Sequence, residues 1–340
     1  MRKLVSIVAA ATIIVIVLAA RGLVGTPGIV TAQEVAVVPS QQEQPVAAAE
    51  TTPQTSSTAS VSVTSAHREA ADGRWGIERI NVPAAWDAAG SFAPVLVAVI
   101  DTGIDPSAPF ADRIKAGIDF SGSGTLNDEH GHGTHMAGTI AAIAPNASFV
   151  NLKVADKRGR CESDTVAKAI RWAADRGAQV INVSLEVAPT HALETAVEHA
   201  CDKGALVIAA AGNSGSSSPA YPAAYMDAVA VAGTNQEDGL AVLSNHGTWV
   251  DIAAPGLKVY SELPGGEYGL ETGTSPAAAH VSGVAALALG VAWDTNGDGH
   301  IDDEVRYALE TFAEPLAQTG TGSGIVNALG TIHYLNCLPQ

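Results

Sequence analysis

Four side chains in this sequence are of the types that nucleophilic acyl transfer requires. Ser275 opens the apolar run ETGTSPAAAHVSGVAALALG (271–290), set between Gly273-Thr274 and Pro276. Proline is favoured at the first helical position and pushes the residue before it out of the helical region, so the spacing predicts Ser275 as the helix N-cap and Pro276 in the first turn. A hydroxyl there is either a capping group or a nucleophile in the positive field of a helix N-terminus. The second role needs a base, an orienting carboxylate and an oxyanion donor from elsewhere in the chain. Asp101 ends the apolar run VLVAVI (95–100) in the phrase VIDTGID, His132 stands ahead of a Gly-Thr step in HGHGTHMAGTIAAIA (130–144), and Asn213 follows ALVIAAA (205–211) in AAAGNSG. Taken singly, Asp101 is a turn former and Asn213 an Asx turn. Taken together they supply the carboxylate that fixes a tautomer, the base that takes a proton, and the amide that meets a developing oxyanion.

Such groups must be held by regular elements, and the sequence alternates them. The spacing predicts a strand over 95–100, a helix over 133–143, a strand over 149–154, a helix over 163–176 stopped by Gly177, and a strand over 179–184. A helix over 190–203 stopped by Gly204 and a strand over 205–211 follow. Strands that are apolar throughout and separated by amphipathic helices imply an α/β fold with a parallel sheet covered on both faces. In such sheets chemistry gathers at the carboxyl ends of the strands, where Asp101 and Asn213 fall.

The chain has 340 residues, 47% hydrophobic and 16% charged, which is enough apolar material for a large globular domain. Its formal net charge of -17 repels phosphate backbones and anionic lipid, which argues against a nucleic-acid partner. The N-terminus reads MRK, then the apolar stretch Leu4 to Ala20, then Arg21, with a small-residue site at Val30-Thr31-Ala32. Residues 1–32 are therefore expected to be a secretory signal cut after Ala32, or an uncleaved anchor that tethers the protein to a membrane through residues 4–20. Either way the rest faces outside the cell. Residues 33–74, rich in Gln, Ser, Thr, Pro, Ala and Glu, read as a disordered low-complexity linker, and residues 75–337 as the catalytic domain. Cys161, Cys201 and Cys337 lack metal-ligand spacing; outside the cell one pair can be bridged, in any of three pairings. His130, His132 and His135 are two and three apart, whereas ligands on one helical face want the spacing of four seen in HExxH.

The phrases DTGID, HGTHMAG, AAAGNSG and GTSPAAAHVSG, in this order, resemble the subtilisin-like serine proteases, the subtilase family. The order Asp, His, Ser is that of subtilisin and differs from the other families sharing these groups. The resemblance extends over most of 75–335, through INVSLE, YPAAY, SNHGTWVDIAAPG and GSGIVNA. It implies a three-layer fold with a mostly parallel central sheet, an Asp101-His132-Ser275 triad and Asn213 as the side-chain oxyanion donor. It further implies a monomeric, secreted or surface-tethered endopeptidase acting on polypeptides. Val183, Ser184 and Leu185 would form an edge that pairs with an extended substrate. Glu186 stands where the family usually has Gly, which places a carboxylate beside that edge, either near a basic substrate side chain or solvated and turned away. Pro276 replaces the commoner Met, and Ala279 a frequent Pro. Residues 33–74 are too few and too polar to build the folded prodomain that many secreted subtilases carry. Two other functions use the same residues: a silent binding scaffold on this fold, and an esterase.

One further motif is DTNGDGHIDDE (294–304). Asp294, Asn296 and Asp298 place oxygens at alternate positions before Gly299, with the carbonyl of His300 and the carboxylate of Asp302 next in line. This is the first part of an EF-hand-like calcium loop. Val305 stands where the bidentate glutamate is expected and Glu304 is one residue early, so the loop is expected to bind calcium weakly. The alternative is an acidic turn using these residues for local hydrogen bonds.

Overall fold

The computed structural model describes residues 75–338, so the leader and linker expected over 1–74 lie outside the described residues. Helices α1 (Trp75–Arg79) and α2 (Val82–Ala89) lead into β1 (Val95–Asp101). There follow β2 (Ile114–Asp119), α3 (His132–Ile143), β3 (Ala147–Lys153), α4 (Ser163–Asp175), β4 (Val180–Val183), α5 (His191–Cys201) and β5 (Leu206–Ala210). Next come β6 (Ala228–Thr234), β7 (Ile252–Pro255), the strands β8 (Val259–Leu263) and β9 (Glu267–Glu271), and the helices α6 (Thr274–Leu289), α7 (Asp302–Thr311) and α8 (Ala328–Cys337).

Seven strands form one sheet in the order β2-β3-β1-β4-β5-β6-β7, and every pairing in it is parallel. Because side chains alternate along a strand, a parallel sheet must be covered on both faces. In β1, Val97 and Val99 enter the cluster built with α2, α3, α6, α7 and α8, whereas Ala98 and Ile100 enter the one built with α4 and α5. The result is the expected three-layer α/β fold. The second sheet is the antiparallel pair β8-β9. Between β1 and β4 the chain order reverses direction across the sheet, which makes the carboxyl ends of these two strands the place where a cleft opens.

All sixteen residues of α6 are buried. Its six alanines and Gly283 let it lie close to its neighbours; a Cβ on Gly283 would stand 2.7 Å from the Cβ of Ile143 in α3. Val281, Val284 and Leu287 are fully buried, each worth about 1.5–3 kcal/mol relative to exposure. The helix that carries Ser275 in its first turn is therefore part of the core.

Candidate active site

Asp101, at the end of β1, is 1% exposed, and its Oδ1 accepts from the Thr102 backbone N–H at 2.7 Å and from His132 Nδ1 at 2.7 Å. Its other oxygen, Oδ2, is buried without a partner. An ionised carboxylate only accepts, so Nδ1 carries the hydrogen, and whenever the imidazole is neutral its lone pair falls on Nε2. Burial opposes protonation of His132, but the charge and hydrogen bond of Asp101, aided by Glu271 and Asp128, outweigh it and raise the imidazole to about 9.

What holds β1 and α3 in this relation is Asp128, a residue that sequence reasoning passed over. Its Oδ1 accepts from Thr102 Oγ1 at 2.8 Å and from the N–H groups of His130 and Gly131, and its Oδ2 accepts from the N–H and hydroxyl of Thr134. Thr102 Oγ1 in turn accepts from the Gly133 N–H at 2.9 Å. Burial alone would raise the Asp128 carboxyl, but these donors hold it below the usual range. A carboxylate gathering orphan N–H groups at a helix start is a capping device, and an Asp four residues ahead of the histidine in DEHGHGT was the available signal. Lys153 adds to the same corner by donating its buried Nζ to the Thr102 carbonyl.

Ser275 is not the N-cap. The helix starts at Thr274 with Gly273 as cap in extended backbone (φ 163), so the serine lies inside the first turn and Pro276 follows it there. The reason is Asn213. Its Oδ1 accepts from the Thr274 N–H at 2.8 Å and from Thr274 Oγ1 at 3.1 Å, doing for the helix what a capping side chain would, and Thr274 Oγ1 also accepts from the Gly212 N–H. With Oδ1 so engaged, the Nδ2 donors of Asn213 remain free on an exposed residue. Ser275 Oγ donates to the Ser184 carbonyl at 3.1 Å, and Ser184 Oγ returns a bond to the Ser275 carbonyl at 3.2 Å. A hydrogen bond from Ser275 to His132 is not made. Thus Asp101 and His132 are in direct contact, and Asn213 and Ser184 are both fastened to the start of α6.

The β8-β9 pair contributes an acid. Glu271, four residues before Ser275, is held by burial at about 7, against the pull of His132 and with Asp101 and Asp128 adding to the rise. His135, fully buried on α3, contacts the carbonyls of Val259 and Gly269 through Nε2 and ties that helix to both strands. Burial keeps it neutral by lowering it to about 4, and its Nδ1 has no hydrogen-bond partner.

β4 stops at Val183, between β1 and β5, and the expected substrate edge continues as Ser184, Leu185 and Glu186. Val187 then bridges antiparallel to Tyr221. Residues 186–189 and 219–221 line an open pocket of about 620 Å³.

Among the described residues no three His, Cys, Asp or Glu side chains converge as a group that could hold a metal ion. In the 294–304 loop, Asp294 accepts from the N–H groups of Gly297 and Gly299, Asn296 from that of Asp298, and Asp298 from that of His300. Glu304 Oε1 accepts from the N–H and hydroxyl of Thr295, while Glu304 Oε2 and Asp302 Oδ1 are buried without hydrogen-bond partners, the latter 3.9 Å from His300 Nδ1. The three cysteines, for which a bridged pair was open, are all free.

The family model described as "Subtilase family" matches residues 93–330. The chain is 39% identical to "Thermitase" of Thermoactinomyces vulgaris, over 77% of this chain and 96% of that protein. It is 40% identical to "Subtilisin BL" of Lederbergia lenta, over 75% of this chain and 96% of that one. A solved structure from Pseudoalteromonas arctica PAMC 21717, titled as proteases, superposes with a TM-score of 0.68 at 27% identity, covering 78% of this chain and 97% of that one.

Proposed function

The chain belongs to the subtilase family and is a serine endopeptidase, and on that premise we propose that Asp101, His132 and Ser275 are its catalytic triad and Asn213 its side-chain oxyanion donor. The observation that most supports this is the 2.7 Å contact of His132 Nδ1 with the buried Asp101. It fixes the tautomer and leaves Nε2 as the base. Rotation about the Cα–Cβ bond of Ser275 carries Oγ from the Ser184 carbonyl onto that nitrogen. As Oγ bonds to the substrate carbonyl carbon, its proton passes to Nε2. The carbonyl π pair moves onto oxygen, which meets Asn213 Nδ2 and the unpaired N–H groups in the first turn of α6. The imidazolium then protonates the leaving amine, the C–N bond breaks, and water repeats the sequence on the acyl-enzyme. Val183, Ser184 and Leu185 hold the substrate as an added strand, which favours peptides over simple esters.

The test is labelling of the purified protein by a fluorophosphonate probe together with hydrolysis of a peptide library. Wild type is expected to label at Ser275 and cleave, and Ser275→Ala to do neither while melting as wild type does. A Ser275→Ala variant with near-normal turnover would overturn the triad.

Export through residues 1–32, with cleavage after Ala32 or retention as a tether through residues 4–20, and action as a monomer outside the cell belong to the same reading; their support is the sequence. Calcium binding by Asp294, Asn296, Asp298, the His300 carbonyl and Asp302 is supported by the turns at Gly297 and Gly299, both at positive φ, and by the oxygens of Asp302 and Glu304 that lack hydrogen-bond partners. Burial holds Asp302 above the usual carboxylate range, a cost that a cation would relieve. Bound there, calcium would serve stability, far from the reacting atoms.

A further inference from the structure

Gly212 immediately precedes Asn213 and has φ +96. A Cβ built on it would stand close to Asn245 Nδ2, 2.8 Å from Glu186 Oε2 and 3.2 Å from the Cβ of Ala220. The carboxylate of Glu186 therefore lies over the bare Cα of Gly212, beside Ala220, in the wall of the 620 Å³ pocket. The residue is solvent-exposed, and its Oε2 lies beside the chain segment that carries the proposed oxyanion donor. The rest of that pocket is apolar in its side chains, with Val187, Pro189, Pro219, Ala220 and Tyr221 among the lining residues. The Glu186 side chain itself makes no hydrogen bond or ion pair within the described residues.

The pocket's place along the substrate follows from its neighbours. One wall runs on from Ser184, whose carbonyl accepts from Ser275 Oγ, and the other contains Gly212, next to Asn213. The side chain nearest both is that of the residue whose carbonyl is attacked. It enters between apolar walls and meets an unpaired carboxylate. A side chain with a long apolar stem and a cationic end fits both parts, the stem along Val187, Pro189 and Tyr221 and the charge on Glu186. An acidic side chain meets repulsion there, and an aliphatic or aromatic one buries the carboxylate unpaired.

We propose that Glu186 makes this endopeptidase selective for lysine or arginine on the acyl side of the bond it cuts. This rests on the endopeptidase reading and deepens it. The net charge of -17 gathers cationic polypeptides in the same sense.

The test is a series of chromogenic peptides differing only in the residue before the scissile bond, Arg, Lys, Leu, Phe or Glu, with active enzyme counted by fluorophosphonate titration. Wild type is expected to prefer Arg and Lys over Leu in kcat/KM, with the ratio falling as salt rises. Glu186→Gln, which keeps shape and removes charge, should lower the Arg-to-Leu ratio on the order of 10- to 100-fold, and Glu186→Arg should turn preference toward Glu. Wild type that titrates fully yet prefers Leu or Phe, or an Arg-to-Leu ratio unmoved in Glu186→Gln, overturns the assignment and leaves the endopeptidase reading standing. Enzyme that neither titrates nor cleaves overturns that reading and the selectivity with it.

Discussion

Glu271 Oε2 stands 4.0 Å from Nε2 of His132, the nitrogen proposed to move the proton, and 4.0 Å from the unpartnered Nδ1 of His135. A charge so placed favours the imidazolium and so resists the base form. With His132 at about 9 and Glu271 at about 7, the two form an ion pair between those values. Below about 7 the glutamate is neutral and the histidine protonated.

The first prediction concerns pH. A base works only when unprotonated, so kcat/KM should climb with pH through the raised imidazole value, giving an alkaline acid limb. Glu271→Gln removes one stabilising charge from the imidazolium, so the limb should move down by roughly 1 pKa unit, given Coulomb energies of about 1 to 4 kcal/mol at this distance. The sign is fixed: loss of a negative neighbour lowers a histidine pKa. A limb that stays in place, or rises, would show that Glu271 has no electrostatic hold on His132.

A second prediction separates the two jobs of Asn213. Its oxygen receives Thr274 and its Nδ2 is assigned to the oxyanion. Asn213→Asp keeps the acceptor and loses the donor, whereas Asn213→Ala loses both. Each should lower kcat by about 10²- to 10³-fold with KM little changed, the loss measured when subtilisin's own oxyanion-hole asparagine is removed. Only Asn213→Ala should also lose about 1 kcal/mol of stability through the uncapped helix start. Steady-state kinetics and thermal melts of both variants decide it; equal melting losses would refute the division.

Asp128 supplies a third. Five donors converge on it, and removing it leaves the N–H groups of His130, Gly131 and Thr134 and two hydroxyls to find water in a buried corner. Asp128→Ala should cost about 2–4 kcal/mol of stability and lower kcat, because the angle between β1 and α3 sets the Asp101-His132 contact. The check is a denaturant melt beside a kcat measurement at a temperature where the variant is folded. Full activity in a destabilised variant would limit Asp128 to structure.

Calcium gives a fourth. With Kd near 10⁻⁴ M, as in extracellular modules, about 1 mM calcium adds roughly 1.4 kcal/mol. Calcium should raise Tm and a chelator lower it, and Asp298→Ala should shrink that difference. Identical wild-type melts in calcium and in chelator would leave the loop as a turn built on its own amides.

The alternating pattern made the three layers legible, because a parallel sheet buried on both faces writes continuous apolar strands and a covering helix writes a periodic stripe. β1, α3, β3, α4, β4, α5 and β5 fall within a few residues of expectation. β2, β6, β7 and the β8-β9 pair were not read from the sequence: Ile114–Asp119 mixes exposed and buried positions, β7 has only four residues, and β9 is mostly exposed. The motif residues were legible because their spacing is carried by short phrases. The position of Ser275 within its helix was not, since the cap that displaced it comes from Asn213, sixty-one residues away in the chain. Glu271 was invisible for a similar reason, its role arising from a hairpin no local pattern announced.

The burial of α6 bears on how the chain comes into being. The proposed nucleophile rides on a helix lodged between α3 and β4, β5, β6 and β7, all of which precede it in the chain. Contacts so distant in sequence close slowly. During synthesis the chain has Asp101 and His132 in hand well before Ser275 can seat itself, and α7 and α8, which add Val305, Leu309 and Ile332 to the same core, follow later still. On the proposed triad, cleavage competence therefore waits for late-made parts of the chain, and a partly folded chain is a target for proteolysis before it can be an agent of it.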